Sequence, residues 1–334
     1  MTPARRSRPR RLTLALAALA GHLAVGACSG DEPTDPDPAA TGADAVIGLT
    51  YIPNIQFAPF YVAEADHALP SGVTLRHHGS AEGLFTALAS GQEQFVVAGG
   101  DEILQARGQG TDIIAVAAYY RRYPVRFIVP ADSPIQSTAD LAGRRIGLPG
   151  PYGENWFTLV IALKEAGLTE ADVDIQSIGY TQQVALASGQ VDAVVGFANG
   201  DAVAFEANGF PVRSIDPAVP LVSICLATTT AFASEHPEVV RGTVAGLRSG
   251  LTTVVSDPEY ALDVAGRYIP DFTADARASA ERVLDATAEL FVDTAGGTTG
   301  GLDPAEWEAM AAAMLDAGLI AAVDGREAMT NEYA

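Results

Sequence analysis

The sequence is poor in cysteine, in lysine and, relative to its acidic residues, in positive charge. It contains two cysteines, Cys28 and Cys225, and a single lysine, Lys164. Aspartate and glutamate together number 41 against 20 basic residues, so the formal net charge is −21. Nucleic-acid binding rests on basic patches, and this charge balance therefore argues against a nucleic-acid partner. It is typical of a solvated, acidic surface.

The sequence also lacks an apolar run long enough to span a bilayer. Five arginines precede residue 12, and residues 12–25 are then predominantly apolar, which is typical of a secretory signal. Residues 25–28 read Val-Gly-Ala-Cys, which resembles the bacterial lipobox and predicts lipid attachment to Cys28. We expect a lipoprotein signal peptide at 1–27 and a disordered Pro/Asp/Gly/Thr tether at 28–43. The mature protein would then be extracytoplasmic, anchored to the cell membrane through Cys28.

The remaining cysteine and the histidines argue against catalysis and metal binding. Since Cys28 is assigned to lipid, Cys225 has no disulfide partner, and its place in the apolar run 221–227 indicates core packing. His67, His77 and His78 lie on segments that read as surface, without metal-ligand spacing to cysteines or acids. We expect no metal, no cofactor and no enzymatic activity.

One stretch of the chain occurs twice. Residues 87–101 read ALASGQEQFVVAGGD, and residues 185–199 read ALASGQVDAVVGFAN. In both, Ser-Gly ends a helix, because glycine accepts a positive φ, and a short apolar run then predicts a buried strand. Polar residues follow each strand, and in open α/β sheets ligands lie beside such carboxyl ends. The two copies predict two similar lobes, each offering a loop to a shared cleft.

Strands and helices alternate along the chain, which predicts an α/β architecture with mostly parallel sheets. The run 125–129 reads as a crossover strand that ends at Pro130, and the run 221–228 reads as the return strand. Beyond residue 237 the pattern is helical, with helix starts of the cap-then-proline type. We predict a discontinuous first lobe at 44–130 and 225–334, a second lobe at 131–224, and a two-strand hinge between them.

Further motifs carry a family resemblance. Residues 53–63 read PNIQFAPFYVA, residues 140–147 read DLAGRRIG, and the carboxyl-terminal part combines Asp303 and Trp307 with AGLI at 317–320 and TNEY at 330–333. With the repeat, and over residues 45–333, the chain resembles the periplasmic substrate-binding proteins of ABC importers. It resembles the branch of thiamine-precursor, riboflavin, sulfonate, nitrate and taurine binders. Within that branch it is most similar to the riboflavin- and thiamine-pyrimidine-binding lipoproteins. The resemblance implies the two-lobe periplasmic-binding-protein fold of type II.

The candidate ligand contacts are polar and aromatic residues at strand ends that we expect to meet in the cleft. A flat heteroaromatic ligand requires ring faces for stacking and a few directional donors and acceptors. Carboxylates at two predicted helix starts argue against an anionic ligand. Core packing of each aromatic residue, and an N-cap role for the first asparagine, stay open as alternatives. The candidates are Asn54, Gln56, Phe57, Asp101, Glu102, Tyr120, Tyr152, Glu154, Asn155, Trp156, Tyr180, Phe197 and Asn199.

The resemblance implies a transport function. We expect a monomeric lipoprotein that captures a small heterocycle, riboflavin or a thiamine pyrimidine precursor, between its lobes and passes it to an ABC permease with its ATPase. Two alternatives stay open at this point. One is a binder of a small sulfonate- or nitrate-type anion on the same scaffold. The other is a ligand-sensing lipoprotein without transport.

Overall fold

A computed structural model of the chain describes residues 44–79, 82–292 and 300–334. The predicted signal peptide, the tether and Cys28 lie outside the described residues. The strands of the described part form two separate five-stranded sheets. We call the sheet that contains Phe95, with its covering helices, the first lobe, and the sheet that contains Phe127, with its helices, the second lobe.

The first sheet has the strand order β2-β1-β3-β10-β4. Strand β1 pairs in parallel with β2 and β3, whereas β10 runs antiparallel to β3 and β4. Leu226 of β10 lies opposite Val97 of β3, so a strand from late in the chain completes this sheet. The strands are β1 (Ala45–Leu49), β2 (Val73–His77), β3 (Phe95–Gly99), β4 (Ile114–Ala118) and β10 (Ile224–Thr228).

The second sheet repeats this plan, with the order β7-β6-β8-β5-β9. Strand β6 is parallel to β7 and β8, and β5 is antiparallel to β8 and β9. In each sheet, the antiparallel strand is the one that the chain forms directly after it crosses from the other lobe. The strands are β5 (Val125–Pro130), β6 (Arg145–Leu148), β7 (Asp174–Ser177), β8 (Ala193–Phe197) and β9 (Val212–Ile215).

Helices cover both sheets, and the helical carboxyl-terminal region that the sequence predicts is confirmed. Asp257, Thr273 and Asp303 each accept a backbone N–H at the start of a helix, as expected of N-cap residues. The helices are α1 (Ala58–Ala65), α2 (Thr86–Ala89), α3 (Gly100–Gly108), α4 (Gly153–Glu165), α5 (Gln182–Ala187), α6 (Val203–Ala207), α7 (Thr230–Glu235), α8 (Pro237–Ser256), α9 (Pro258–Ala265), α10 (Ala274–Phe291) and α11 (Pro304–Asp316).

Both faces of the first sheet are buried. Successive side chains of a strand point to opposite faces, and those of β3 accordingly enter two different cores. Phe95 and Val97 pack in the core that α1 and α8 cover, together with Phe60 and Leu247. Their neighbours Val96 and Ala98 pack in the core that α3 and α11 cover. Among the described residues, no helix combines the length and apolar character that a membrane crossing requires.

The helix, turn and strand of the repeat fold as the sequence predicts, but a helix and not a loop follows each strand: α3 begins at Gly100, and a π-helix spans Ala198–Ala202. The first copy comprises α2, a turn and β3, and the second copy comprises α5, a turn and β8. The glycines that end the two helices have the expected positive φ, 73° at Gly91 and 71° at Gly189. Each copy supplies the central parallel strand of its own sheet, beside β1 in the first lobe and beside β6 in the second.

One predicted boundary requires correction. We assigned residues 125–130 to the first lobe, but this segment is β5 of the second sheet, and Phe127 packs in the second-lobe core with Ile146 and Leu159. The chain therefore crosses before residue 125 and returns between Ile215 and Ile224. A fully buried apolar strand carries no local signal for the sheet that it joins, since either core accepts it. The hinge motion itself stays a prediction.

Candidate functional site

Two adjoining cavities lie between the lobes. One, of about 510 Å³, is lined from both lobes, and the other, of about 590 Å³, shares seven of its lining residues. We call the two cavities together the cleft. Such volumes suit a small-molecule ligand. The first cavity is lined by Thr50, Tyr51, Asn54, Gln56, Phe57, Val97, Ala98, Gly99, Glu102, Tyr119, Tyr120, Glu154, Asn155, Tyr180, Gln182, Gln183, Phe197, Gly200, Asp201 and Ile224.

The loop after β1 supplies one wall of the first cavity. Asn54 precedes a short 3-10 helix, Ile55–Phe57, and its side-chain oxygen accepts the backbone N–H of Gln56 at 2.8 Å. The Tyr119 hydroxyl donates to the backbone carbonyl of Gln56, which holds the loop against the sheet. Asn54 thus has the N-cap role considered above, and it also lines the cavity together with Gln56 and Phe57.

Two acidic residues enter the cleft from opposite lobes. Glu102 lies in the first turn of α3, and its carboxylate accepts the backbone N–H of Gly99 at 3.2 Å. Glu154 lies in the first turn of α4 and is 8% exposed. Within the described part of the chain, its Oε1 atom is buried without a hydrogen-bond partner. Both side chains line both cavities, so the acids that the sequence places at helix starts face the same space.

Burial changes the protonation of the acidic groups around the cleft. It raises the pKa of Glu102 to about 7 and that of Asp201 to about 6. Burial, followed by repulsion from Asp101 and Glu102, raises the pKa of Glu154 well above its usual range. Burial and repulsion from Glu102 do the same for Asp101. Loss of solvation and a neighbouring like charge both disfavour the ionised form of a carboxyl group.

Aromatic rings lie at two depths of the cleft. Tyr120 is 4% exposed and stacks on Tyr119, with ring centroids 5.0 Å apart and an interplanar angle of 26°. Tyr51, Tyr152 and Tyr180 are 46%, 54% and 70% exposed, although each lines the cleft. Large aromatic faces left open beside a cavity provide stacking surface for a planar ligand.

Three of the sequence-predicted residues do not line either cavity. Asp101 is fully buried behind Glu102, and its carboxylate accepts the Tyr123 hydroxyl at 3.2 Å. Trp156 packs against the cores of both lobes, which is the core-packing alternative. Asn199 is 2% exposed and donates to the Thr287 hydroxyl on α10 at 3.0 Å. The other ten predicted contacts line the cleft, and ligand contact stays a prediction for all of them.

Some lining residues were absent from the predicted set. Tyr119 lies beneath Tyr120, and Gln182 and Gln183 begin α5 just before the second repeat copy. Asp201 follows β8 and accepts the backbone N–H of Phe197 at 2.8 Å. Gln182, Gln183 and Asp201 flank the second repeat copy, and Tyr119 directly follows β4, so their positions at strand ends and helix starts were the available signal. In the first cavity, the additional residues with polar or aromatic side chains are Thr50, Tyr51, Tyr119, Gln182, Gln183 and Asp201.

The prediction of a surface position for His78 is wrong. The side chain is 3% exposed, and its Nε2 atom lies 3.0 Å from both carboxylate oxygens of Glu93. His78, Glu82 and Glu93 bring possible metal-ligand atoms within 4.8 Å of one another. Arg76 forms ion pairs with both glutamates, with 2.6 Å to Glu82. The arginine already pairs with both carboxylates, so this cluster is explained as an ion-pair network.

The lining of the cleft carries no strongly basic side chain. Among the lining residues that the structure describes, neither cavity includes a lysine or an arginine. His78 lines the second cavity, but Glu93 occupies its Nε2 atom. Binding sites for anions use arginine, lysine or free helix N–H groups. Here the first turns of α3 and α4 bear carboxyl groups instead, so the arrangement favours uncharged or cationic ligands.

Comparison with protein families and with curated proteins gives consistent matches. The family model described as NMT1/THI5 like matches residues 54–261. The chain is 31% identical over 331 residues to the riboflavin-binding protein RibY of Chloroflexus aurantiacus, a match that covers 93% of this chain and 94% of that protein. It is 26% identical over 182 residues to the formylaminopyrimidine-binding protein of Halalkalibacterium halodurans, covering 53% of this chain and 54% of that protein.

A solved structure has the same fold. The periplasmic aliphatic sulphonate binding protein SsuA of Escherichia coli is similar with a TM-score of 0.70, at 17% sequence identity, over 86% of this chain and 97% of that one. This likeness concerns the fold alone. The two-lobe α/β periplasmic-binding-protein fold predicted from the sequence is confirmed.

Proposed function

Because the chain belongs to the NMT1/THI5-like family, we propose that it is the extracytoplasmic substrate-binding protein of an ABC importer. The observation that carries the proposal is the cleft itself. Both lobes supply aromatic and amide side chains to one cavity of about 510 Å³. A site shared by two lobes suits capture by closure, in which ligand contacts from each side stabilise the closed form.

The proposed ligand is a small heteroaromatic vitamin or precursor, with riboflavin as the first candidate. The riboflavin-binding relative matches nearly the whole chain, whereas the formylaminopyrimidine-binding relative matches about half of it. The tyrosine faces in the cleft support a planar ring system. Sulfonate- and nitrate-type anions are the weaker candidates, since their charge would meet Glu102 and Glu154 without a lysine or arginine in the lining.

The proposed contacts divide by chemistry. In the interior of the cleft, Tyr120 and Phe197 would contact the ligand ring. At the mouth of the cleft, Tyr152 and Tyr180 would contact it. Directional groups come from both lobes and read ring nitrogens, carbonyls or the side chain of the ligand. These directional residues are Asn54, Gln56, Glu102, Glu154 and Asn155.

The proposed activity is recognition without bond changes. Cys225 is fully buried in β10, and burial raises the pKa of its thiol, so it lacks the properties of a nucleophile. ATP hydrolysis would belong to a partner ATPase, and the ligand would pass to a permease. Incubation of the purified protein with riboflavin, followed by chromatography, should return the compound unchanged. Recovery of a reaction product that depends on the protein would contradict a pure binding function.

The proposed location is the outer face of the cytoplasmic membrane, through a lipid on Cys28. This residue lies outside the described part of the chain, and the proposal rests on the lipobox-like run at 25–28. When the wild-type chain and the Cys28→Ser variant are expressed, we expect the wild-type protein in the membrane fraction. The variant should appear in the soluble extracytoplasmic fraction. Equal membrane recovery of both proteins would contradict lipid anchoring.

A thermal-shift screen tests the ligand class. We expect riboflavin, or failing that an aminopyrimidine, to raise the melting temperature in a dose-dependent way. A ligand at about 100 times its Kd adds about 2.7 kcal/mol to the stability of the native state. Taurine and nitrate should give no shift. A shift with these anions alone would overturn the ligand assignment. In a separate transport assay with a co-expressed permease and ATPase, binding of the ligand without its uptake would favour a sensing role.

A further inference from the structure

Two carboxyl groups from different lobes occupy reciprocal positions in the cleft. An added Cβ atom at Gly99 of the first lobe would lie 3.1 Å from the side-chain carboxyl carbon of Glu154 in the second. An added Cβ atom at Gly153 of the second lobe would lie 3.2 Å from Oε1 of Glu102 in the first. Each carboxyl group thus reaches the helix start that presents the other one. We call Glu102 and Glu154 the carboxyl pair.

One member of the pair has unused hydrogen-bonding capacity. Glu154 is 8% exposed, lines both cavities, and leaves Oε1 buried without a partner among the described residues. A buried polar atom without a partner costs about 1–3 kcal/mol. A ligand group that donates a hydrogen bond to Oε1 would remove this cost, because the side chain lines both cavities. The unpartnered oxygen therefore points to a hydrogen-bonding group on the ligand at this position.

Among the described residues that line the cleft, no lysine or arginine compensates the pair; Arg121 acts on Cys225 behind the pair but donates to the Gly301 carbonyl. Asp101 of α3 and the hydroxyls of Tyr120 and Tyr123 lie next to the pair, Tyr180 lies toward the mouth, and Cys225 lies behind it in β10. Each of these groups is neutral or negative. Ionisation of both carboxyl groups is unfavourable in such an environment. Burial raises the pKa of each group, so each stays protonated to a higher pH than usual.

We propose that the carboxyl pair makes the cleft selective for the uncharged form of its heterocycle and excludes phosphorylated or otherwise anionic forms of the same compound. A neutral carboxyl group donates one O–H and accepts through its carbonyl oxygen. This pattern complements an adjacent N–H and C=O on a ring, such as a lactam or imide edge. An anionic ligand would instead bring a negative charge into a cleft without lysine or arginine in its lining, and that charge would repel Glu102 once its carboxyl group ionises. The inference rests on the proposed function and specifies its substrate class.

The test compares riboflavin with its 5′-phosphate by fluorescence titration or calorimetry of the purified protein. At about pH 8, where Glu102 is ionised, we expect the phosphate ester to bind about 100-fold more weakly, because like charges placed together at an interface cost several kcal/mol. Riboflavin affinity should fall as the pH rises through about 7, where Glu102 ionises. Glu102→Gln and Glu154→Gln keep a donor and an acceptor but carry no charge. Glu102→Gln should flatten the pH profile and, at about pH 8, reduce the discrimination to about 10-fold or less, whereas Glu154→Gln leaves Glu102 to ionise and should keep the pH dependence.

Glu170→Gln serves as the matched control, since Glu170 is exposed on the second lobe away from the cleft. It should reproduce the wild-type discrimination and pH profile. Equal affinity of the wild type for both flavins would overturn the inference while leaving the proposed function intact. So would a Glu102→Gln variant that keeps the wild-type discrimination at about pH 8. Circular dichroism of each variant separates loss of binding from loss of folding.

Failure of every uncharged probe to bind would contradict the proposed function instead. The carboxyl pair then remains testable without ligand, through the melting temperature of the wild type and of Glu102→Gln between about pH 5 and about pH 8. A wild-type melting temperature that decreases over this range, with a smaller decrease in the variant, would support a neutral pair. Identical profiles of the two proteins would overturn it.

Discussion

Asn199 of the second lobe donates its side-chain N–H to the hydroxyl oxygen of Thr287 on α10 of the first lobe, at 3.0 Å. Asn199 is 2% exposed and Thr287 is fully buried. The Thr287 hydroxyl in turn donates to the Val283 carbonyl at 2.6 Å, so the bond between the lobes extends into the backbone of α10. We infer that α10, rather than the crossing segments alone, sets the relation between the lobes in this conformation.

Removal of this bond should destabilise the protein. We expect Asn199→Ala to lower the free energy of unfolding by about 1–3 kcal/mol, because it leaves the buried threonine oxygen with one partner fewer. Urea unfolding followed by circular dichroism measures the change. Gln190→Ala is the control, since Gln190 is exposed on the same lobe, and should stay within about 0.5 kcal/mol of the wild type. Equal effects of the two substitutions would show that the bond between the lobes contributes nothing.

The exposed tyrosines at the mouth should contribute to affinity more than to folding. Tyr152→Ala and Tyr180→Ala each remove a ring face from the cleft, and we expect riboflavin to bind about 10-fold more weakly in each. The melting temperature of the ligand-free protein should change little, because both side chains are more than half exposed. Tyr260→Ala, in α9 away from the cleft, should retain wild-type affinity. Unchanged affinity in both mouth variants would remove these residues from the proposed contacts.

Asp201 predicts a decrease in stability with rising pH. Burial raises the pKa of the folded form to about 6, above the value of about 3.9 for an unfolded aspartate. Its contribution to stability is therefore complete below about pH 4 and is lost as the pH rises to about 6. Asp201→Asn retains an acceptor for the Phe197 N–H and removes the charge. The variant should gain about 1–3 kcal/mol in unfolding free energy at pH 7.

Asp140 provides a control of opposite sign. Hydrogen bonds from the Gln136 backbone, and then from Ser137, lower the pKa of this exposed carboxyl group. Its contribution is present above the pKa of the unfolded form and is lost as the pH falls through the folded pKa. Asp140→Asn should therefore reduce stability at pH 7 and have less effect in acid. Urea unfolding at several pH values compares the variants, and changes of the same sign in both would contradict the assignment.

Gly250 permits the close packing of α8 on α1. An added Cβ atom would overlap the Pro59 carbonyl group, at 2.8 Å from its carbon atom. Gly250→Ala should therefore lower the unfolding free energy by about 1–3 kcal/mol, although alanine favours helix formation. Ser249→Ala lies on the exposed side of the same helix and should be neutral or slightly stabilising. A stabilised Gly250→Ala variant would show that the two helices separate at no cost.

The repeat was the most informative local signal. Its Ser-Gly helix ends and buried strands are present, because a helix stop and a short apolar run depend on a few neighbouring residues, whereas the predicted polar loops are the first turns of helices. The local sequence of β5 does not predict which lobe this strand joins. Phe127 and its neighbours fit a buried strand in either sheet. The pairing of β5 with β8, which is distant in the chain, places this strand in the second sheet.

The candidate site shows the same division. Sequence position indicated that Glu102, Tyr120, Glu154 and Phe197 lie at strand ends or helix starts, and they line the cleft. Trp156 occupies a comparable position on α4, yet its ring packs in the core, since the turn of the helix carries consecutive side chains to different faces. The sequence indicates which residues lie near a strand end. The direction in which a side chain points depends on the elements that pack against it.

By itself, the sequence determined the family, the alternation of strands and helices, the two similar halves, and the acidic and aromatic character of the strand ends. These properties depend on local pattern and composition, which a single chain displays. Only the tertiary structure decided that Glu102 and Glu154 face each other across two lobes, that Asn199 reaches Thr287, and that β5 joins the second sheet. Each of these contacts joins residues distant in the chain, and the compatible partner is selected by the packing of whole lobes.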